Sequence, residues 1–318
     1  MYIGYDCGYS ADKLALFNEN NEIEMYKYTN IVALTNELAT DKPLLDGRRY
    51  YVGEDALMME KEDIKDVMDY ADLEKYSQLF LFRTLRKLNI DPKNIKRMGT
   101  GLSLAQKEHM NSFYNRLSKI NIEINGENHK IDLSNKISFL PQGVGAKYAI
   151  DYYCKEKGEE VPKNCLIIDP GFSTVDVVEV IGGEVRPDRV KGWVKEGTQS
   201  YGMVSVANEI QKIIKDKFNE DIPVKEALNV LETKKFILRG EHDLSKEVES
   251  EMEKYREVLI GLLESKHKRA LDKSTNIFLV GGGSYLLENL TPVSEVMKNA
   301  EYYNAIGNLL YAKKIQEK

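Results

Sequence analysis

The chain has 318 residues, of which 42% are hydrophobic and 30% charged, with a formal net charge of -6. Its mean hydropathy is -0.45 and its isoelectric point about 5.5. Domains usually hold about 100–200 residues, so two lobes with sizeable cores are expected. The acidic balance disfavours direct binding to nucleic acid or an anionic membrane, since both reward a basic excess.

Cys7, Cys154 and Cys165 show no metal spacing and are too few and uneven for a disulfide framework, which fits a reducing compartment and a cytoplasmic protein. The sequence opens on an apolar strand rather than a basic leader, and 18 uninterrupted apolar residues occur nowhere. Neither export nor a membrane span is expected.

In chain order, "YIGYD", "KLALF" and "EIEMYKY" read as an antiparallel meander with "NENN" as a turn. From Gly53 to about Asn89 the spacing is helical, with Leu73, Tyr76, Leu79, Phe80, Phe82 and Leu85 on one broad apolar face. "IKRMGTGLSLAQ" reads as a strand, a glycine pair and Ser103 capping a helix that buries Leu104, Met110, Phe113 and Leu117. "INIEINGENHKIDL" is a hairpin with Asn125-Gly126 near its turn, and "KISFL" is a strand leading into a helix. "NCLIIDPGFSTVDVVEVIGGEVRPDRVKGWV" gives three strands, the second turn at Gly182-Gly183. Helices from Met203 to Phe218 and from Ser245 to Lys273 follow, then the strand "NIFLV" and the run Gly281-Gly283.

The chain carries an internal repeat. Asp6, Gly8, Tyr9 and Ser10 align with Asp169, Gly171, Phe172 and Ser173, each 163 residues apart, after one apolar strand and before another. An Asp-x-Gly turn also closes many hairpins that have no function. Two matching tips have a chemical use: each glycine admits backbone N–H groups close to a phosphate, and each aspartate can hold a hydrated Mg²⁺. Lys13, early on the return strand, is either a phosphate-directed point charge or a solvated strand lysine, and the second copy has no equivalent lysine. That asymmetry makes the second tip the metal-side partner. Asp176, past the second turn, reads as structural.

"DCGYSADK" and "IIDPGFSTVD" resemble the two phosphate-binding hairpins of the actin, Hsp70 and sugar-kinase superfamily, and "FLVGGGSYLL" resembles its adenosine motif. "ISFLPQGVGAKYAI" and "YYNAIGNLLYA" are similar to the segments that cross between its lobes. The length, with "MGTGLSL" and "PQGVGA", looks most like the ParM-like plasmid-segregating group and its archaeal-actin relatives. The resemblance implies an α/β, two-lobed actin-like fold of duplicated ribonuclease H-like type, with a nucleotide cleft between the lobes. Expected boundaries are 1–143 with 303–318, carrying an insertion at about 30–95, and 144–302, carrying one at about 184–270.

The same resemblance implies residue roles. Gln142 orients the water that attacks the γ-phosphate, a neutral amide positioning rather than deprotonating it; the alternative is a cap on the helix beginning near Val144. Asp6 and Asp169 face Mg²⁺, acting through water. Gly8, Tyr9, Ser10 and Lys13, with Gly171, Phe172, Ser173 and Thr174, hold phosphates. Gly202 is the ribose-side glycine, and Gly281, Gly282, Gly283 and Ser284 lie beside the nucleotide at a helix N-terminus. Glu232 and Lys235 are placed on the helix where relatives contact adenosine, although "LETKKF" also suits a solvated face. A dinucleotide fingerprint fails because Leu286 stands where its last glycine belongs, and no GxxxxGK[ST] loop or HExxH occurs.

The implied function is a cytomotive ATPase using ATP and Mg²⁺: nucleotide closes the lobes, monomers stack head to tail into a filament, and hydrolysis weakens the contact. A plasmid cargo would need a DNA-binding adaptor protein. The alternatives are a small-metabolite kinase of the same superfamily, or a non-hydrolysing ATP-binding scaffold of the cell-division or pilus-assembly kind.

Overall fold

The computed structural model describes residues 1–36, 38–60, 63–193 and 201–316. The part of the expected second insertion at 194–200, including Val194 of "KGWV", lies outside the described residues. The chain divides into two compact units, Met1–Ala149 with Asn304–Lys318, and Ile150–Tyr303.

The first unit opens with the meander β1 (Tyr2–Cys7), β2 (Ala11–Phe17) and β3 (Ile23–Thr29). Short strands follow: β4 (Ile31–Leu34), β5 (Leu44–Leu45), β6 (Arg48–Val52) and β7 (Ile64–Asp66). The helical spacing expected from Gly53 onward resolves into a 3-10 segment, Gly53–Met58, the strand β7, and only then α1 (Tyr70–Lys87). Asp69 starts α1 by accepting from the Asp72 N–H, and the six apolar residues named above are all buried.

Then come β8 (Arg97–Thr100), α2 (Met110–Ser118), β9 (Lys119–Ile124), β10 (Glu127–Asp132) and β11 (Ile137–Phe139). Ser103 does accept from the Ala105 N–H, but it leads a 3-10 segment, Leu104–His109, rather than the α-helix itself. The β9–β10 turn has both Asn125 and Gly126 at positive φ, as a tight two-residue hairpin turn demands. Two sheets result: β11-β8-β1-β2-β3, and β10-β9-β5-β6-β4-β7.

The helix α3 (Val144–Glu156) carries the chain into the second unit. There β12 (Cys165–Pro170), β13 (Val175–Ile181) and β14 (Glu184–Trp193) form a second meander, with Gly182 and Gly183 both at positive φ in its turn. Next are α4 (Val204–Phe218), α5 (Val224–Thr233), the small hairpin β15 (Lys235–Ile237) and β16 (Glu241–Asp243), and α6 (Ser245–Lys273). β17 (Asn276–Leu279) and β18 (Ser294–Val296) complete the sheet β14-β13-β12-β17-β18. Leu166, Ile168, Val175 and Val177 of this sheet share a core with Ile210, Leu231 and Leu259 of the helices. Burial on both faces is why β12 opens on an unbroken apolar run, Cys165–Ile168.

The two units repeat one sheet. In the first, β1 pairs antiparallel with β2 and parallel with β8, and β8 runs parallel with β11. In the second, β12 pairs antiparallel with β13 and parallel with β17, and β17 runs parallel with β18. The duplication seen as a strand-turn-strand repeat thus extends to five strands in the same order.

The last helix, α7 (Tyr303–Gln316), lies directly on the first sheet. Gly4 and Gly99 are register neighbours on β1 and β8. A Cβ at Gly4 would stand 1.9 Å from the Ala305 carbonyl oxygen, and one at Gly99 2.0 Å from that of Asn308. α7 also crosses α3 at backbone contact, since a Cβ at Gly307 would stand 1.8 Å from the Gly145 carbonyl oxygen. Only glycine permits such approach.

Candidate functional site

Both tips close in the same way. The Gly8 N–H donates to the Ala11 carbonyl at 3.1 Å, and 163 residues later the Gly171 N–H donates to the Thr174 carbonyl at 2.8 Å. In each case the aspartate stands two residues before the glycine at the end of its strand, buried: Asp6 is 4% and Asp169 6% exposed. The residue opposite differs. Asp6 faces Lys13 across its hairpin, whereas Asp169 faces Asp176.

At the first tip, Lys13 Nζ lies 3.7 Å from Asp6 Oδ2 and 3.3 Å from where a Cβ of Gly8 would be, so its ammonium turns back over the tip. Gln142 donates its amide from Nε2 to Asp6 Oδ1 at 2.8 Å, and its backbone N–H donates to the Leu102 carbonyl at 3.0 Å. The side chain is thereby aimed at the tip from the turn before α3, where Gly143 takes φ +77 and donates to Asn304 Oδ1 at 2.9 Å. Tyr9 is buried, and its hydroxyl accepts from Gln106 of the 3-10 segment. The Tyr9 side chain therefore anchors the tip to the 3-10 segment.

The second tip is backed by glycines distant in sequence. A Cβ at Gly281 would stand 1.9 Å from Asp169 Oδ1, and one at Gly283 2.5 Å from the Pro170 carbonyl oxygen. A Cβ at Gly202 would stand 2.3 Å from the Phe172 carbonyl oxygen. Beside Gly202, the N–H groups of Met203 and Val204 donate to the carbonyls of Gly171 and Phe172 at 3.0 and 2.9 Å. Gly202, read as ribose-side, is thus pressed against the second tip itself, and the start of α4 holds the tip backbone. Thr174 is buried and donates from Oγ1 to Asp176 Oδ2 at 3.2 Å.

Two sequence expectations need correction. The stretch after the glycine run is a five-residue 3-10 segment, Gly282–Leu286, so no α-helix N-terminus follows it. Ser284 is fully buried, and its hydroxyl donates to the Gly281 carbonyl at 2.6 Å within this turn. Lys235 is not helical: α5 ends when Lys234 adopts a left-handed conformation, and Lys235 sits on β15 in an ion pair with Glu241 at 2.9 Å. Glu232, on α5, is exposed.

Sequence reasoning missed the support behind the first tip. Asp12 is fully buried, salt-bridged to Arg83 and accepting from Thr84 Oγ1 at 2.5 Å. Arg83 Nη2 also donates to Asn30 Oδ1 at 3.2 Å, while Asn30 Nδ2 donates to the Gly8 carbonyl at 2.7 Å. The signal was an aspartate at a buried position of β2 and an arginine on the buried face of α1. Among the described residues no group of three or more His, Cys, Asp or Glu side chains is placed to hold a metal. No helix of the described residues is long and apolar enough to cross a membrane.

Residues 167–291 match the family model of the archaeal actin homologue MreB-like C-terminal domain. The fold is similar to Ta0583, an archaeal actin homologue, at 18% identity, covering 99% of this chain and 100% of that one with a TM-score of 0.76. It is similar to ParM in a 15-stranded filament from Clostridium botulinum, at 19% identity, covering 98% of each chain with a TM-score of 0.74. Ta0583 in complex with ADP matches at 17% identity, covering 99% of this chain and 100% of that one, with a TM-score of 0.73. No curated protein sequence matches the chain. The chain has the actin-like fold.

Proposed function

We propose that this chain, built on the fold of Ta0583 and ParM, is an ATP-dependent filament-forming protein that hydrolyses ATP to ADP and phosphate. The observation that carries this reading is the pair of identically closed tips, each with a buried aspartate two residues before its glycine. Support also comes from the kind of ligand and assembly found with the same fold: ADP on Ta0583, and a filament of ParM.

In this reading each tip serves nucleotide phosphates. Lys13 supplies a point charge, and backbone N–H groups of the tips supply directional donors that need no reorganisation as charge develops. Gln142 orients the attacking water. A neutral amide at that place suits hydrolysis better than transfer to a substrate hydroxyl, which calls for a carboxylate base.

Magnesium fits this donor set as an ion held chiefly by phosphate and water. The first tip offers one carboxylate, Asp6, already shared with Lys13 and Gln142, while the second offers Asp169 facing Asp176. Bound magnesium would neutralise phosphate charge, with Asp6 or Asp169 orienting its water shell. A DNA-binding adaptor and plasmid cargo belong to the same proposal, and the acidic net charge of -6 agrees with bridging rather than direct contact.

The test is light scattering, pelleting and phosphate release after mixing the protein with ATP and magnesium, GTP, or a non-hydrolysable ATP analogue. Polymer that forms with ATP and the analogue, and disassembles as phosphate is released only with ATP, is the expected result. Absence of both polymer and turnover would sink the proposal.

A further inference from the structure

The first tip rests on a buried chain of polar groups that begins at Asp12. A carboxylate removed from water needs partners, and Asp12 has two on α1, Arg83 and Thr84. Those contacts fix the guanidinium, whose fork then reaches two further acceptors: Nη1 donates to the Thr29 carbonyl at 2.5 Å and Nη2 to Asn30 Oδ1 at 3.2 Å. Gly53 keeps that fork in place from the other side, since a Cβ there would stand 2.6 Å from Arg83 Nη1.

With Oδ1 accepting from Arg83, the orientation of the Asn30 amide is decided, and Nδ2 must point the other way. It donates to the Gly8 carbonyl at 2.7 Å, while the Asn30 backbone N–H donates to the Ser10 carbonyl at 3.0 Å. One residue therefore holds two alternate carbonyls of the tip. In a trans peptide the C=O and the following N–H point in opposite directions within one rigid plane. Pulling the Gly8 and Ser10 carbonyls toward Asn30 turns the N–H groups of Tyr9 and Ala11 away from it.

The second tip supplies an independent parallel. The Gly171 carbonyl, equivalent to that of Gly8, is also captured, but by the Met203 N–H at the start of α4. Two unrelated devices, a side-chain amide and a helix start, restrain the same atom of the repeat. Shared ancestry of the strands explains the shared turn, but it does not explain why each copy found its own way to hold that carbonyl. A common requirement on the direction of the tip amides does.

We infer that Asn30, fixed by Arg83 and Asp12, is a positioning residue that aims the Tyr9 and Ala11 N–H groups of the first tip at a phosphate oxyanion. The inference rests on the reading that the tips bind nucleotide phosphates, and it adds the residues that set their geometry.

The experiment measures dissociation constants of the full chain for ATP, inorganic triphosphate and adenosine by calorimetry, in wild type, Asn30→Ala, Asn30→Asp and Arg83→Lys. Losing one directional hydrogen bond is expected to weaken ATP and triphosphate by about tenfold in the Asn30 variants, with adenosine affinity unchanged. Arg83→Lys keeps the charge beside Asp12 but loses the fork, so a smaller loss of the same selectivity is expected. Asn30→Asp keeps the side-chain shape and serves if Asn30→Ala does not fold. Equal weakening of adenosine and ATP would mean general distortion and overturn the inference, as would unchanged triphosphate affinity. A wild-type chain that binds neither ATP nor triphosphate would instead overturn the proposed function, and the inference with it.

Discussion

Gln142 and Asp6 share one hydrogen bond of 2.8 Å, so the side chain proposed to orient the attacking water is braced by the carboxylate proposed to face magnesium. Replacing Gln142 by Ala should lower the hydrolysis rate about a hundredfold while leaving ATP affinity nearly unchanged. Single-turnover phosphate release set beside calorimetric binding separates the two effects. Parallel loss of affinity and rate would show that Gln142 holds the tip rather than the water.

The glycine run makes a local prediction that contrasts neighbours. Gly281 adopts φ +81 with Asp169 Oδ1 pressed against it, whereas nothing lies within 4 Å of a Cβ at Gly282. Gly281→Ala should displace Asp169, cost about 2 kcal/mol of stability and weaken ATP binding. Gly282→Ala should change stability by no more than about 0.5 kcal/mol. Denaturant unfolding of the two variants checks the contrast.

The helix crossing in the first unit should be the least forgiving place for added volume. With the Gly145 carbonyl 1.8 Å from a Cβ at Gly307, Gly307→Ala must push α3 and α7 apart, at about 3 kcal/mol. A melting temperature within a degree of wild type would mean that the crossing relaxes without cost.

A second buried pair, away from the tips, joins two irregularities. Glu179 sits where the register of β13 with β14 shifts, and His267 interrupts the helical dihedrals of α6 at φ -131; His267 Nδ1 and Glu179 Oε1 are 2.7 Å apart. Removing one partner, as in Glu179→Ala, should cost about 1–3 kcal/mol, because a buried hydrogen bond is lost. Replacing both by leucine should recover much of that loss. A double variant no more stable than Glu179→Ala would assign the cost to packing instead.

Alkaline pH should destabilise the fold through groups that burial holds protonated. Burial raises the Cys7 thiol above its ordinary 9.0, with Asp12 adding to the shift, and raises the Tyr5 and Tyr255 phenols above 10.0. Each group keeps its proton to higher pH in the folded chain than in the unfolded one. Their contribution to stability is therefore fully present below the ordinary values and is lost as pH rises through the folded ones. The melting temperature should hold steady up to about pH 9 and fall beyond it, and Cys7 should resist alkylation at pH 8 until the chain is unfolded.

The strands of the two meanders and of the β9–β10 hairpin, their turns and the repeat were legible because each depends on neighbours in sequence. Alternation marks β9, an unbroken apolar start marks β12, and Asn-Gly or Gly-Gly marks turns that need positive φ. The chain after the glycine run misled for the same local reason: "GGGSYLL" looks like a helix start, but the Ser284 hydroxyl and the packing of Gly283 on Pro170 leave only a short 3-10 turn. Lys235 lies two residues past the end of α5, and the left-handed Lys234 that ends the helix carries no glycine to announce it.

Periodicity and turn chemistry, properties of adjacent residues, determined the two repeated strand-turn-strand units, the acidic tips and the apolar faces of the helices. Which distant residues stand behind those tips was decided only in three dimensions. Asn30 meets Gly8, Gly281 meets Asp169 and Gly202 meets Phe172, because sheet register and helix crossing set those distances, and both depend on backbone approach between segments that share no pattern in the sequence.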